Sequence, residues 1–252
     1  MTAALEFRNV DAAYGAFRAL FDVSITIGAS EAIALVGPNG AGKTTIARVA
    51  SGLIAPSSGQ IFVDGQDVTG SPAYAFARAG VAHAPEGRSV FGTLTVEENL
   101  ALSINRIRGR RGVKAGLEEA FELFPRLAER RTQVAGTLSG GEQRMLAMAR
   151  VLVDAPKLLI ADELSLGLAP TIVDRTYESL ARLREAGTAL LVIEQHVSHA
   201  LGLCDRVIVM EHGAPSWSGP SADATERVQA FLYAGTAAAT DIPDTPGDDP
   251  TT

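Results

Sequence analysis

Apolar residues in the first third of the chain fall in short alternating or continuous runs. "ALEFRNV" and "LFDVSITI" predict strands, and "QIFVDGQDV" predicts a hairpin turning on Asp64-Gly65. "EAIALVG" is a brief apolar run entering a glycine loop, the pattern of a buried central strand. From about Val96 to Val153 the spacing changes to three and four residues, as in "VEENLALSINRIR" and "LEEAFELF", which predicts helices. Beyond that the pattern alternates. "KLLIAD" reads as a strand, "TIVDRTYESLARLREAG" as a helix closed by glycine, and "TALLVIE" as a strand. A short helix near "VSHALGL" and a strand "RVIVME" follow. This order predicts an α/β fold with a mainly parallel sheet covered by helices. The final stretch, "TAAATDIPDTPGDDPTT", is small, acidic and proline-containing, so residues 235–252 are expected to form a disordered tail.

The 252 residues suffice for one large domain or two small ones. Hydrophobic residues at 46% and charged residues at 20% give an ordinary soluble balance. A net charge of -7 argues against a general nucleic-acid binder, which usually carries a basic face, but not against a polyanion held in a local cradle. Cys204 is the sole cysteine, so no internal disulfide can form. The N-terminus lacks the basic and apolar regions of a signal peptide. The longest apolar runs are far short of the about 20 residues that cross a bilayer, so any membrane role requires another chain to span it.

Candidate chemistry begins at "GPNGAGKTT". Gly37, Gly42, Lys43 and Thr44 satisfy G-x-x-x-x-G-K-[ST] between a predicted strand and a predicted helix. The glycines let backbone N–H groups converge on phosphate oxygens, Lys43 adds a positive charge, and the Thr44 hydroxyl can ligate Mg²⁺. The helix dipole contributes at most ~2 kcal/mol. Micromolar binding needs about 8 kcal/mol, so charge-assisted hydrogen bonds and the metal supply most of it. Nucleotide binding is expected, with Gly37, Pro38, Asn39, Gly40, Ala41, Gly42, Lys43, Thr44 and Thr45 as the cradle.

Two carboxylates end the strand in "KLLIADE". In a parallel sheet ligands gather at the strands' carboxyl ends, where the glycine loop also lies. Asp162 can therefore hold Mg²⁺ through water, and Glu163 can orient or deprotonate an attacking water. His196, after "ALLVIEQ", can donate a hydrogen bond to a terminal phosphate; His83, His199 and His212 have no comparable placement. No cysteine–histidine spacing points to zinc.

A second anion site is expected at "LSGGEQRMLAMAR". Ser139 is placed as an N-cap with Glu142 completing a capping box, and Met145, Leu146, Met148, Ala149 and Leu152 form the buried face. Gly140 and Gly141 replace better helix formers at roughly 1 kcal/mol each, which leaves exposed N–H groups that a phosphate can approach closely.

With these residues in order, the chain resembles the ATP-binding cassette (ABC) ATPases over roughly residues 5 to 233. "LSGGEQ" is similar to their signature motif, the glycine loop to Walker A, "KLLIADE" to Walker B, "SLGLAP" to the D-loop and His196 to the switch histidine. Tyr14 resembles the aromatic that stacks on adenine. The resemblance implies a P-loop NTPase (RecA-like) core, an N-terminal antiparallel β subdomain and an inserted helical subdomain at about 87–155, together forming one nucleotide-binding domain over 1–234. It also implies head-to-tail pairing, with each ATP between one subunit's cradle and the other's Ser139, Gly140, Gly141 and Glu142. One chain then carries two half-sites because a complete site needs two chains.

"APEGRSVFGTLTVEENL" and "SLGLAP" resemble the shorter ATPase of branched-chain amino-acid importers, with urea and amide importers close by. Glu86 stands where most relatives carry glutamine; its carboxylate can approach Mg²⁺ or its water, or simply belong to a solvated turn. Leu164 replaces the proline usual after the catalytic glutamate, and "APSWSG" near Trp217 is less typical. The resemblance implies a peripheral subunit on the cytoplasmic face of the cell membrane that binds ATP and Mg²⁺. Its implied partners are membrane-spanning permease subunits, a sister ATPase or second copy, and indirectly an extracytoplasmic solute-binding protein, with no nucleic acid. A non-transport ABC ATPase usually carries coiled-coil insertions, tandem cassettes or basic surfaces, and this sequence shows none. A P-loop kinase or GTPase has no use for "LSGGEQ".

Overall fold

A computed structural model describes residues 2–84, 90–153, 156–165, 169–194 and 197–224. Glu86, His196, the centre of "SLGLAP" and the acidic tail lie outside the described residues.

Two sheets form around the predicted strands. The first is antiparallel in the order β2 (Phe17–Ile27), β1 (Leu5–Tyr14), β4 (Ser58–Val63) and β5 (Gln66–Asp67). Its short hairpin turns on Asp64 and Gly65, with φ of 49° and 76°, the doubly left-handed backbone that a two-residue turn needs to match strand twist.

The second sheet holds β10 (Ala214–Pro220), β9 (Arg206–Glu211), β3 (Ala32–Val36), β8 (Ala189–Ile193), β7 (Leu158–Asp162) and β6 (Val81–Ala84), in that order. All neighbours run parallel except β9 and β10. Alternating side chains divide its two faces. Ile33, Leu35, Ile160, Leu191 and Ile193 pack under α1 (Lys43–Ala50), α2 (Ala73–Ala79) and the antiparallel sheet. Ala34, Val36, Leu159, Val192 and Val207 pack under the remaining helices. Burial on both faces explains why these strands read as continuous apolar runs rather than alternating ones.

Between β6 and β7 the chain forms α3 (Val96–Leu123), α4 (Pro125–Ala128) and α5 (Gly140–Leu152). The α3 segment is two helices joined at Gly109, whose φ of 66° and ψ of 176° are non-helical. It starts with a capping box in which Glu98 N–H donates to Thr95 Oγ1 at 3.2 Å and Thr95 N–H donates to Glu98 Oε2 at 2.8 Å. After β7 comes α6 (Pro170–Glu185), and α7 (Val197–Leu203) links β8 to β9. Trp217 lies on β10 and packs against the helix-side core, which gives that less typical stretch a structural role.

Candidate functional site

The glycine loop leaves β3 at the carboxyl edge of the parallel sheet and enters α1. Gly37 has φ of 152°, and a Cβ there would lie 2.4 Å from the carbonyl oxygen of Met210. Gly42 has φ of 100°, and its Cβ would lie 2.9 Å from Leu20 Cδ2. Both positions require glycine, by conformation and by space. Gly42 is also the N-cap of α1, which has no side-chain cap and no acidic residue in its first turn, so its leading N–H groups are left for an anion.

Lys43 is buried, and its ammonium donates to the carbonyls of Gly37 at 2.8 Å and Pro38 at 3.0 Å. Burial pushes its pKa down, while the negative charges of Glu163 and Asp162 oppose that shift. The lysine therefore sits within reach of the fields of both carboxylates that end β7. Sequence-distant motifs meet at one edge of the sheet, as their strand ends predict.

Asp162 is 2% exposed at the last position of β7. Glu163 follows with φ of 50°, a left-handed backbone that costs a non-glycine residue about 1–3 kcal/mol. Its N–H donates to Ile193 O at 2.9 Å, so the end of β8 fixes the turn. Leu164 is 3% exposed and joins the helix-side core. The leucine in place of proline thus anchors the turn by burial rather than by ring constraint.

Thr44 at the start of α1 and Asp162 on β7 offer hydroxyl and carboxylate oxygens, a hard donor set that suits Mg²⁺. Among the described residues no group of three or more histidine, cysteine or acidic side chains forms a protein-only cage. This pairing fits an ion that takes its remaining ligands from phosphate and water.

His83 is a residue that the strand pattern did not single out. It pairs with Ile160 across β6 and β7 and shares the α1-side face with Asp162. Its Nε2 lies 4.0 Å from Asp162 Oδ2, and its Nδ1 lies 3.1 Å from Ser51 Oγ. Burial, helped by the positive charge of Arg48, pushes its pKa down to about 4. At neutral pH the imidazole is uncharged, so its approach to Asp162 is not an ion pair. His83 also lines a cavity of about 460 Å³, with Leu53, Ala77, Met148, Val151 and Leu164 on other walls.

The capping box expected at Ser139 is present. Ser139 caps α5, accepting from Glu142 N–H at 3.3 Å, while Ser139 N–H donates to Glu142 Oε2 at 3.0 Å. Ser139 Oγ also donates to Glu142 Oε2 at 2.9 Å. Arg130 and Arg126 approach Glu142 Oε1 at 2.7 and 3.4 Å; against the opposing effect of burial, the capping bonds with Ser139 hold its carboxyl below the usual range, with the two arginines adding to them. Met145, Leu146, Met148, Ala149 and Leu152 are buried as expected.

Tyr14 ends β1 with 42% exposure, and Arg48 Nη1 on α1 donates to its hydroxyl at 3.2 Å. The ring is therefore tethered to the helix that begins at Lys43, a link that the sequence pattern does not reveal.

A cradle with a buried lysine, two carboxylates beside it and a separately capped glycine helix together define a nucleotide-handling cassette. The ABC transporter family pattern matches residues 20–165, and the chain belongs to that family. A high-affinity branched-chain amino acid transport ATP-binding protein, BraG of Pseudomonas aeruginosa PAO1, is 44% identical over 83% of this chain and 89% of its own length. A probable branched-chain amino acid transport ATP-binding protein, LivF of Archaeoglobus fulgidus, is 34% identical over 86% of this chain and 92% of its own. The lipopolysaccharide export system ATP-binding protein LptB of Escherichia coli K12 is 32% identical over 84% and 88%. Among solved structures, the ATP-binding subunit of an ABC transporter superposes with a TM-score of 0.80 at 25% identity, covering 93% of this chain and 99% of that one. A dimeric, post-hydrolysis ATP-binding cassette bound to ADP and Pi matches in fold with a TM-score of 0.79 at 21% identity, covering 86% and 98%.

Proposed function

We propose that this chain is the ATP-binding and ATP-hydrolysing subunit of an importer for branched-chain or related apolar amino acids. The observation that carries the reading is the meeting of Lys43, Asp162 and Glu163 at one sheet edge, in a chain 44% identical to BraG. The cradle at Gly37–Thr45 holds the phosphates, with Tyr14 against the adenine. Thr44 and Asp162 hold Mg²⁺, joined by Glu86, and the ion supplies charge neutralisation for the transferred phosphoryl group. Glu163 takes the proton of the attacking water or orients it, and His196 donates to the terminal phosphate.

Two such domains, over residues 1–234, pair head to tail so that Ser139, Gly140, Gly141 and Glu142 of one close the cradle of the other. Only ATP reaches both helix ends, so hydrolysis releases the pair. The pair comprises two copies or this chain with a sister ATPase. It sits on the cytoplasmic face of the cell membrane against permease subunits served by a solute-binding protein. No helix among the described residues is long and apolar enough to cross a membrane.

The test is uptake of radiolabelled leucine, with urea as the comparison, in cells deleted for the gene. Loss of leucine uptake with urea uptake intact supports the assignment. The reverse pattern moves the chain to the urea branch, and unchanged uptake of both overturns the importer reading.

A further inference from the structure

The imidazole of His83 presents a buried acceptor that the mechanism above leaves unused. Its side chain is 9% exposed, and Nε2 is buried with no hydrogen-bond partner. Leaving such an atom unsatisfied costs about 1–3 kcal/mol. The surrounding hydrogen bonds bear on which nitrogen carries the proton. Ser51 has one hydroxyl hydrogen, and its neighbours at 2.8 and 3.2 Å are the carbonyls of Ala47 and Arg48, which can only accept. With that hydrogen on the Ala47 carbonyl, the Ser51 oxygen accepts from His83 Nδ1–H, and in this tautomer Nε2 carries the lone pair.

That lone pair faces Asp162 Oδ2 across 4.0 Å, too far for a direct hydrogen bond. Two acceptors at this separation match the reach of one bent water donating both hydrogens over about 2.8 Å each. A water so used turns its own lone pairs away from both groups. A divalent cation is the partner that such lone pairs suit, and Mg²⁺ typically keeps several of its waters.

We propose that His83 is a positioning residue for the magnesium shell: its Nε2 and Asp162 Oδ2 together accept the two hydrogens of one metal-bound water. The assignment rests on the nucleotide reading above and adds a residue to it. His83 orients Asp162 through that water and does not touch the reacting atoms. Its Ser51 bond anchors the imidazole to the last turn of α1, so the helix that opens with Lys43 also helps to set the metal's outer shell.

The experiment compares ADP affinity of the full chain in excess EDTA and in Mg²⁺, by calorimetry. In His83→Leu the gain from Mg²⁺ should fall about tenfold, the lower end of outer-shell effects, with affinity in EDTA unchanged. His83→Gln, which restores an acceptor oxygen, should recover part of that gain. A second measurement needs no variant. Long-range ¹H–¹⁵N spectra of the native protein should show the Nδ1–H tautomer, with the Nε2 resonance moving on addition of Mg²⁺ and ADP but not of ADP in EDTA. A proton found on Nε2, or an unmoved Nε2 resonance, overturns the proposal, as does an equal Mg²⁺ gain in native protein and His83→Leu. Failure of the native protein to bind ADP even in EDTA strikes the nucleotide reading itself, and the assignment with it.

Discussion

Glu194, at 2% exposure, accepts both hydrogen bonds that Ser165 offers: the N–H at 3.0 Å and the hydroxyl at 2.7 Å. Ser165 begins the segment after the β7 carboxylates, and Glu194 follows directly on β8. The bond pair thus ties two adjacent strand ends together through the Glu194 carboxylate. Glu194→Ala leaves both donors of Ser165 unmatched and should destabilise the fold by about 2–3 kcal/mol, whereas Ser165→Ala should cost about half as much. Urea unfolding checks the order. Both variants should lose dimer-dependent turnover more than single-chain ATP affinity.

Glu163→Gln keeps the shape of the side chain but removes its basicity. ATP binding should persist while hydrolysis falls by about 10²–10⁴-fold, the usual contribution of a positioned base. Gel filtration with ATP should then show an accumulated dimer. Undiminished turnover would remove Glu163 from its role, and a strictly monomeric ATP complex would remove the shared site.

Ser139 has a capping duty and a proposed ligand duty, and two substitutions separate them. Ser139→Ala loses the cap at about 1 kcal/mol of stability. Ser139→Asp keeps an oxygen cap, so stability should stay near native, yet it adds a negative charge where a phosphate is to arrive. Thermal unfolding should rank alanine below aspartate. ATP-dependent dimer formation should rank aspartate lowest.

The predicted elements, the glycine loop and the Ser139 capping box were legible because each depends on neighbours in sequence. The strand, glycine turn and helix at Gly37–Thr45 form one local unit, and the Ser139–Glu142 box closes over three residues. The surroundings of His83 were not legible, since Ser51 lies 32 residues away and Asp162 is brought alongside only by strand pairing. The Arg48–Tyr14 tether has the same origin, crossing 34 residues. The kink at Gly109 was hidden because the apolar spacing continues on both sides, and a single glycine does not by itself end a helix.

Cys204 should resist thiol reagents. Burial pushes its pKa to about 12, and Asp205 adds to that shift while Arg184 opposes it. The reactive thiolate is therefore scarce at pH 8, and access is blocked as well. Modification by a thiol-disulfide dye should be at least about a hundredfold slower than in urea-unfolded protein. Rapid labelling of the native chain would show that the end of α7 opens far more readily than its burial implies.

The left-handed backbone at Glu163 carries a longer consequence for directed evolution. Glycine and asparagine occupy that conformation with less strain than glutamate does. A library selected only for survival at high temperature should therefore shed the carboxylate there early, yielding hardier protein without the proposed catalytic base. Selection that also demands ATP consumption should retain the glutamate and find its gains elsewhere, because at this position durability and work draw on the same bond rotation.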